Sequence, residues 1–176
     1  MTDTPADDGL QPMRCVVLTV SDTRTPEDDT SGTLVVERLE GAGHAILERR
    51  IVRDERAELE TALREWAAEP AVEVVITTGG TGITGRDVTP EAASAVYTKA
   101  IPGFGELFRW LSYEEIGAAT VQSRAQAGLA GSTLIFNLPG SSGACRLAMD
   151  AIILPQLDKR TKPCNFAEIM PRFGER

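Results

Sequence analysis

Short, unbroken runs of β-branched and apolar residues, set apart by helical stretches, narrow the fold of this chain more than anything else in its sequence. Cys15-Val16-Val17-Leu18-Thr19-Val20 is one such run, and Val72 to Thr78, with Val74, Val75 and Ile76 consecutive, is another. A strand with one face in water alternates polar and apolar residues, so a run without alternation predicts a strand covered on both faces. Ile46 to Val52 reads as a further strand. Between these strands lie helical patterns. One helix spans about Gly32 to Leu39 and is ended by Gly41 and Gly43. From Glu55 to Glu69, Leu59, Ala62, Leu63, Trp66 and Ala67 share one helical face. The order strand, helix, strand, helix, strand implies parallel pairing through right-handed crossovers, hence a three-layer α/β/α domain.

The second half continues the pattern with one change of direction. Thr89 is placed to cap a helix whose first position is Pro90 and which is expected to reach about Lys99. Ile101-Pro102-Gly103-Phe104-Gly105 introduces another helix, with Leu107, Trp110 and Leu111 on one side, ending near Gly117. Gln126 to Leu129 and Thr133 to Asn137, joined through Ala130-Gly131-Ser132, suit a tight hairpin, so the sheet is expected to be mixed but mostly parallel. The last helix places Ala144, Leu147, Ala148, Ala151 and Ile152 on one stripe and is expected to stop before Pro155. Residues 1–13 read as a flexible tail and 14–176 as a single domain, a length that supports one sizeable core.

Composition removes several classes of function. A formal charge of -8 repels a nucleic-acid backbone, and no Lys/Arg-rich run overrides it locally. No apolar stretch approaches the length of a membrane span, and the acidic N-terminus lacks a signal core. Cys15, Cys145 and Cys164 are odd in number and widely spaced, which suits reduced thiols in the cytoplasm. With His44 as its single histidine, the chain holds neither a His-based triad nor a multi-histidine metal site. His44 follows the Gly41-Ala42-Gly43 break and is expected on a solvent-side loop or strand edge. An anionic small substrate stays open, because backbone N–H groups and a metal ion bind phosphate inside an acidic protein.

Ligands of open α/β sheets bind at the carboxyl ends of the strands. Four segments reach that edge: Ser21 to Ser31, Arg53-Asp54-Glu55, Gly79 to Thr89, and Pro139-Gly140-Ser141-Ser142-Gly143. Thr77-Thr78-Gly79-Gly80-Thr81-Gly82 offers backbone that approaches a phosphate without Cβ clashes, although a plain glycine turn explains it equally. It lacks P-loop spacing, and no GxGxxG follows the first strand. Taken singly, Asp54 reads as a helix cap and Asp87 as a solvated loop acid. Together, at one sheet edge beside a glycine loop, they supply what phosphoryl or nucleotidyl transfer requires: carboxylates for a metal and donors for oxygens. Cys145, on an apolar helix face, reads as packing rather than as a nucleophile. Phe104, Phe108 and Trp110 suit base stacking, the core or a subunit contact.

TTGGTG, RDVTPE, PGFGE and NLPGSSGAC, in this order and at these separations, resemble the MogA/MoaB family of molybdenum-cofactor biosynthesis proteins, over about Val16 to Phe166. SYEEIGAATVQSRAQAG and PQLDKRTKPCNF look more like the MoaB branch. The resemblance implies magnesium-dependent transfer of AMP from ATP to molybdopterin, giving adenylylated molybdopterin and pyrophosphate. It implies Asp54 and Asp87 as the catalytic acids and magnesium ligands. It places Gly79, Gly80, Thr81 and Gly82 at the nucleotide, with Pro102, Gly103, Gly105 and Glu106 completing that side. Ser21, Asp22, Ser141, Ser142 and Gly143 would hold the pterin's phosphate. A homotrimer is implied, with hexamers in the MoaB branch. The MoaB-like second half sets a non-catalytic molybdopterin-binding assembly protein beside the enzyme as the alternative.

Overall fold

The apolar runs form the middle of a six-stranded sheet in the computed structural model of the protein, which describes residues 9–175. The strands are β1 (Arg14–Val20), β2 (Ala45–Val52), β3 (Val74–Thr78), β4 (Lys99–Ala100), β5 (Gln126–Ala130) and β6 (Thr133–Leu138). Their order is β2-β1-β3-β6-β5-β4. β2, β1, β3 and β6 run parallel, while β5 is antiparallel to both β6 and β4. Helices α1 (Thr30–Gly41), α2 (Arg56–Ala68), α3 (Thr89–Ser94), α4 (Pro102–Ile116), α5 (Ser142–Ala148), α6 (Leu154–Leu157) and α7 (Phe166–Ile169) cover the sheet. Among the described residues no helix is long and apolar enough to cross a membrane.

Both faces of the central strands are buried, which is why their sequences do not alternate. Cys15 and Val17 pack with Val74, Ile76 and Phe136 against α1, α4 and α5. Their neighbours Val16 and Leu18 pack with Val75 and Ile135 against Leu59, Leu63 and Trp66 of α2 and Ala92 and Ala93 of α3. This is the expected three-layer, mostly parallel mixed arrangement. The chain leaves β1 for β2 on one side and returns, through α2, to β3 on the other side of β1. Strand order therefore reverses at β1, and a crevice opens between the carboxyl ends of β1 and β3. That crevice positions the site.

Four local expectations are corrected. α3 stops at Ser94 rather than reaching Lys99, because the chain is pulled out into β4: the Thr98 N–H and hydroxyl both donate to the Leu129 carbonyl, and the Tyr97 ring lies on Gly128, where a side chain would collide with it. The last helix does not end before Pro155. A π turn over Met149–Ile153 carries it into α6, and that wider turn accommodates a residue with no N–H and a bulky ring. His44 is buried rather than solvent-side, its Nδ1 accepting from the Met13 N–H at 3.1 Å. The turn at Gly43, with φ 88°, folds it under the incoming chain. Within the segment expected as a tail, residues 1–8 lie outside the described residues, whereas Met13 is part of the core.

Candidate active site

The glycine run leaves β3 in a conformation that only glycine adopts freely. Gly79 and Gly80 have φ 107° and 65°, and a side chain on Gly79 would meet the Val20 carbonyl at the end of β1. The loop is held on its inner side by Thr89, whose hydroxyl donates to the Gly79 carbonyl at 2.9 Å and whose N–H donates to the Gly80 carbonyl at 3.0 Å. Threading between the end of β1 and the start of α3, the run passes between two carboxylates. A Cβ on Gly80 would lie 2.7 Å from Asp54 Oδ1, and one on Gly82 would lie 2.8 Å from Asp87 Oδ2. The structure thus brings Asp54, Asp87 and Gly79 to Gly82 together, from the loops after β2 and β3.

The two acids sit in opposite electrostatic settings. Asp54 Oδ1 is buried without a hydrogen-bond partner. Burial, followed by the charges of Asp22 and Asp87, holds its carboxyl above the usual range, against the pull of Arg86. Asp87 is partly buried as well, but Oδ2 accepts from the Thr84 N–H at 2.8 Å and the Thr84 hydroxyl at 2.6 Å. Those bonds, a Gly82 N–H and the charge of Arg124 outweigh burial and hold it below the usual range. Among the described residues no cluster of three or more His, Cys, Asp or Glu side chains encloses a metal. Two carboxylates, one with an orphaned oxygen, nevertheless fit magnesium, which keeps several waters and takes substrate phosphates as ligands.

The loops after β1 and β6 flank this pair. Ser21 Oγ accepts from the Thr23 and Arg24 N–H groups, and Asp22 Oδ1 accepts from the Asp54 N–H at 3.2 Å. Arg24 ties this loop to the last one by donating to the Gly140 carbonyl at 3.2 Å and to Ser31 Oγ at 2.6 Å. Asp29, at the far end of the same loop, is buried and caps α1 by accepting from the Gly32 N–H at 2.9 Å. Burial raises its carboxyl, but hydrogen bonds from Arg49, Thr19 and Gly32 more than offset that and leave it low. Ser141 caps α5, its Oγ accepting from the Ala144 N–H, and the Ser142 hydroxyl donates to Thr30 Oγ1 at 3.2 Å. Gly143 is exposed beside them, with nothing packed where its side chain would be.

A cleft of about 440 Å³ runs from the glycine loop to Ser141, with Asp87 at one edge and Phe108, Ser112 and Ile116 of α4 as the opposite wall. Ser21 and Asp22 instead open onto a neighbouring cleft beside β2, lined also by Arg49 and Arg53. Pro102, Gly105 and Glu106 are not brought into the glycine cleft. They border a separate depression with Arg109 and Gln126, and Gly103 is exposed nearby. The reason is geometric: α4 starts at the β4 edge of the sheet and only its middle and last turns line the glycine cleft. Phe104 is core and Phe108 joins the core to the cleft, whereas Trp110 is 67% exposed. The Cys145 Sγ lies 3.2 Å from both Thr78 Oγ1 and the Pro139 carbonyl, and burial pushes its thiol up to about 11, the setting of a packed cysteine rather than a nucleophile.

Two arginines complete the site. Arg86 forks onto both oxygens of Asp22 and donates to Glu55 Oε1 at 2.9 Å. Arg124 reaches behind the loop: its Nε donates to the Gly82 carbonyl and its Nη2 to the Asp87 carbonyl, both at 2.7 Å, its backbone N–H bonds Thr81, and Nη1 pairs with Glu91. Arg86 stands inside a motif already singled out, and its neighbour Asp87 was signal enough to weigh it. Arg124 lies in SYEEIGAATVQSRAQAG, 42 residues along the chain from Gly82 in the loop it holds, and nothing in that segment ties it to the glycine run.

A glycine run between two loop acids at the switch point of a mostly parallel sheet is the arrangement of a ligand-binding α/β domain. Residues 16–159 match the family described as "probable molybdopterin binding domain", and the chain belongs to that family. Within it the likeness is to molybdenum cofactor biosynthesis protein B. The Escherichia coli (strain K12) protein of that name is 50% identical over 155 residues, 88% of this chain and 91% of the relative. A crystal structure of a molybdenum cofactor biosynthesis protein B is 44% identical with a TM-score of 0.86, covering 96% of this chain and 99% of that one. The tungsten cofactor synthesizing protein MoaB from Pyrococcus furiosus is 35% identical with a TM-score of 0.75, covering 94% and 99%. The expected family, its MoaB branch and the α/β fold are thereby borne out.

Proposed function

We propose that the protein is a magnesium-dependent molybdopterin adenylyltransferase, moving AMP from ATP to molybdopterin. The observation that carries this reading is the pairing of Asp54, with its orphaned buried oxygen, and Asp87 across a glycine run that presents bare backbone to the cleft. Asp54 and Asp87 would hold the magnesium, which supplies charge neutralisation on the triphosphate. Gly79, Gly80, Thr81 and Gly82 bring bare backbone up to the nucleotide, the Gly79 N–H itself being bonded to the Leu138 carbonyl and the Gly82 N–H to Asp87. Ser141, Ser142 and Gly143 receive the pterin's phosphate, while Ser21 and Asp22 border the neighbouring cleft beside β2. An oxygen of that phosphate attacks the α-phosphorus of ATP, the new P–O bond forms as the bond to the β-phosphate bridging oxygen breaks, and pyrophosphate leaves in line. The attacking phosphate is already ionised near neutral pH, so the chemistry needs no general base.

The separate free thiols Cys15, Cys145 and Cys164 support a cytoplasmic setting. The exposed aromatic stripe of α4 supports self-association as a trimer or hexamer. The decisive assay mixes protein, ATP, magnesium and molybdopterin and measures pyrophosphate. Wild type is expected to release it, and Asp87→Asn to lose at least about a hundredfold in rate with its circular dichroism unchanged. Pterin bound with no pyrophosphate released would instead make the chain a molybdopterin-binding assembly protein.

A further inference from the structure

We infer that Arg86 is the residue that grips the polyphosphate of the nucleotide, and that Asp22 and Glu55 hold its guanidinium in reserve until a divalent cation relieves them; the inference rests on the adenylyltransferase reading.

Asp22, Glu55 and Arg86 come from three different loops, those after β1, β2 and β3, and meet in front of the crevice. Arg86 Nη2 donates to Asp22 Oδ1 and Oδ2, both at 2.9 Å, Nε donates to Oδ2 at 3.1 Å, and Nη1 donates to Glu55 Oε1 at 2.9 Å. All three side chains are well exposed, at 56% for Arg86, 38% for Asp22 and 52% for Glu55. Exposed ion pairs add little to stability and exchange partners readily. A bidentate fork shared between two carboxylates is the kind of exposed pair that does hold loops together, and its exposure also leaves the guanidinium open to an arriving anion.

The charge balance of the crevice says what it is for. Asp22, Glu55 and Asp87 all act on Asp54 as like charges, and Arg86 is the cation that opposes them there. With no other charge present, the guanidinium is drawn to the carboxylates. A divalent cation at Asp54 and Asp87 cancels part of that negative field and weakens the hold of Asp22 and Glu55. A polyphosphate arriving with one divalent cation still carries net negative charge, and Arg86, exposed and next in the chain to Asp87 at the edge of the cleft, offers it a guanidinium. Its planar fork fits two oxygens of a phosphate as it now fits two of a carboxylate. Arg86 also lies within the loop that runs from the glycine run to Asp87, so it moves with the groups that meet the nucleotide.

Isothermal titration of the full chain with inorganic tripolyphosphate, with and without magnesium, tests this without any turnover. Wild type is expected to bind tripolyphosphate in magnesium and to bind far more weakly in its absence. Arg86→Ala should weaken binding at least tenfold, and Arg86→Lys should recover part of the loss. Glu55→Gln removes one of the two carboxylates that hold the guanidinium and should tighten binding severalfold, most visibly at low magnesium. Equal affinity in wild type and Arg86→Ala, no binding by wild type, or a Glu55→Gln variant no tighter than wild type would each overturn the inference. Its failure is separable from that of the enzymatic reading. Tripolyphosphate bound through Arg86 with no pyrophosphate released from ATP and molybdopterin sinks only the latter, while pyrophosphate release by a protein whose Arg86→Ala variant binds tripolyphosphate normally sinks only the former.

Discussion

Asp54 carries a cost in the folded chain, and its surroundings explain why. An acceptor that is buried and unpartnered loses its hydration for nothing, typically about 1–3 kcal/mol. Because its carboxyl is held above the ordinary range, the folded state binds this proton more readily than the unfolded chain. Its contribution therefore turns unfavourable as pH rises through the folded-state value and vanishes below the ordinary carboxylate value of about 3.9. Asp54→Asn is expected to stabilise the metal-free protein by about 1 kcal/mol at pH 7, roughly 2–4 °C in Tm, with the gain shrinking towards pH 4. Urea titrations at several pH values measure it; a variant less stable than wild type at pH 7 would contradict the account. Asp29 behaves oppositely, since its low carboxyl stabilises above the ordinary range and loses that effect as pH falls. The types of these residues were legible in the sequence and their strand-end placement followed from the pattern. The orphaned oxygen was not, because it depends on Gly80 lacking a side chain against it.

At the scale of elements, the loop from Gly79 to Asp87 keeps its shape through Thr89 inside and Arg124 outside. Arg124 bonds the carbonyls of both Gly82 and Asp87, bracketing the turn between them, so it acts as a positioning residue for Asp87. Arg124→Ala is expected to cost about 1–3 kcal/mol of stability through the unmet carbonyls and to lower turnover at least tenfold. Arg124→Lys should restore stability more than turnover, since one ammonium cannot span both carbonyls. Hydrogen exchange at Thr84 and Asp87 provides the structural readout, and unchanged protection in Arg124→Ala would refute the role. The central strands and α2 were readable because apolar runs and a helical stripe are local signals. The end of α3 and the course past Pro155 were not: the first is settled by a distant partner, Gly128 under Tyr97, and the second by a π turn at Met149–Ile153 that residue types alone do not announce.

At the scale of the molecule, identical residue types meet opposite fates. Trp66 is 3% exposed and lies in the core on α2, while Trp110 on α4 is 67% exposed. Helical periodicity placed each on an apolar stripe, but periodicity does not say whether the stripe faces the sheet or a neighbour. Tyr113 at 59%, Ile116 at 54% and Val121 at 79% exposure extend the Trp110 surface from α4 into the 3-10 turn Gly117–Gln122. A net charge of -8 keeps copies apart unless an apolar surface outweighs the repulsion, and large exposed apolar side chains grouped along one helix mark contact surfaces. Trp110→Glu is accordingly expected to weaken self-association by about 2 kcal/mol per contact, roughly thirtyfold in Kd, while leaving the monomer folded. Sedimentation velocity across a concentration series reads the shift, and raising the salt should strengthen wild-type association by screening the shared negative charge. A wild-type protein that stays monomeric throughout the series, or a Trp110→Glu variant that assembles as wild type does, would show that this stripe is not where the copies meet.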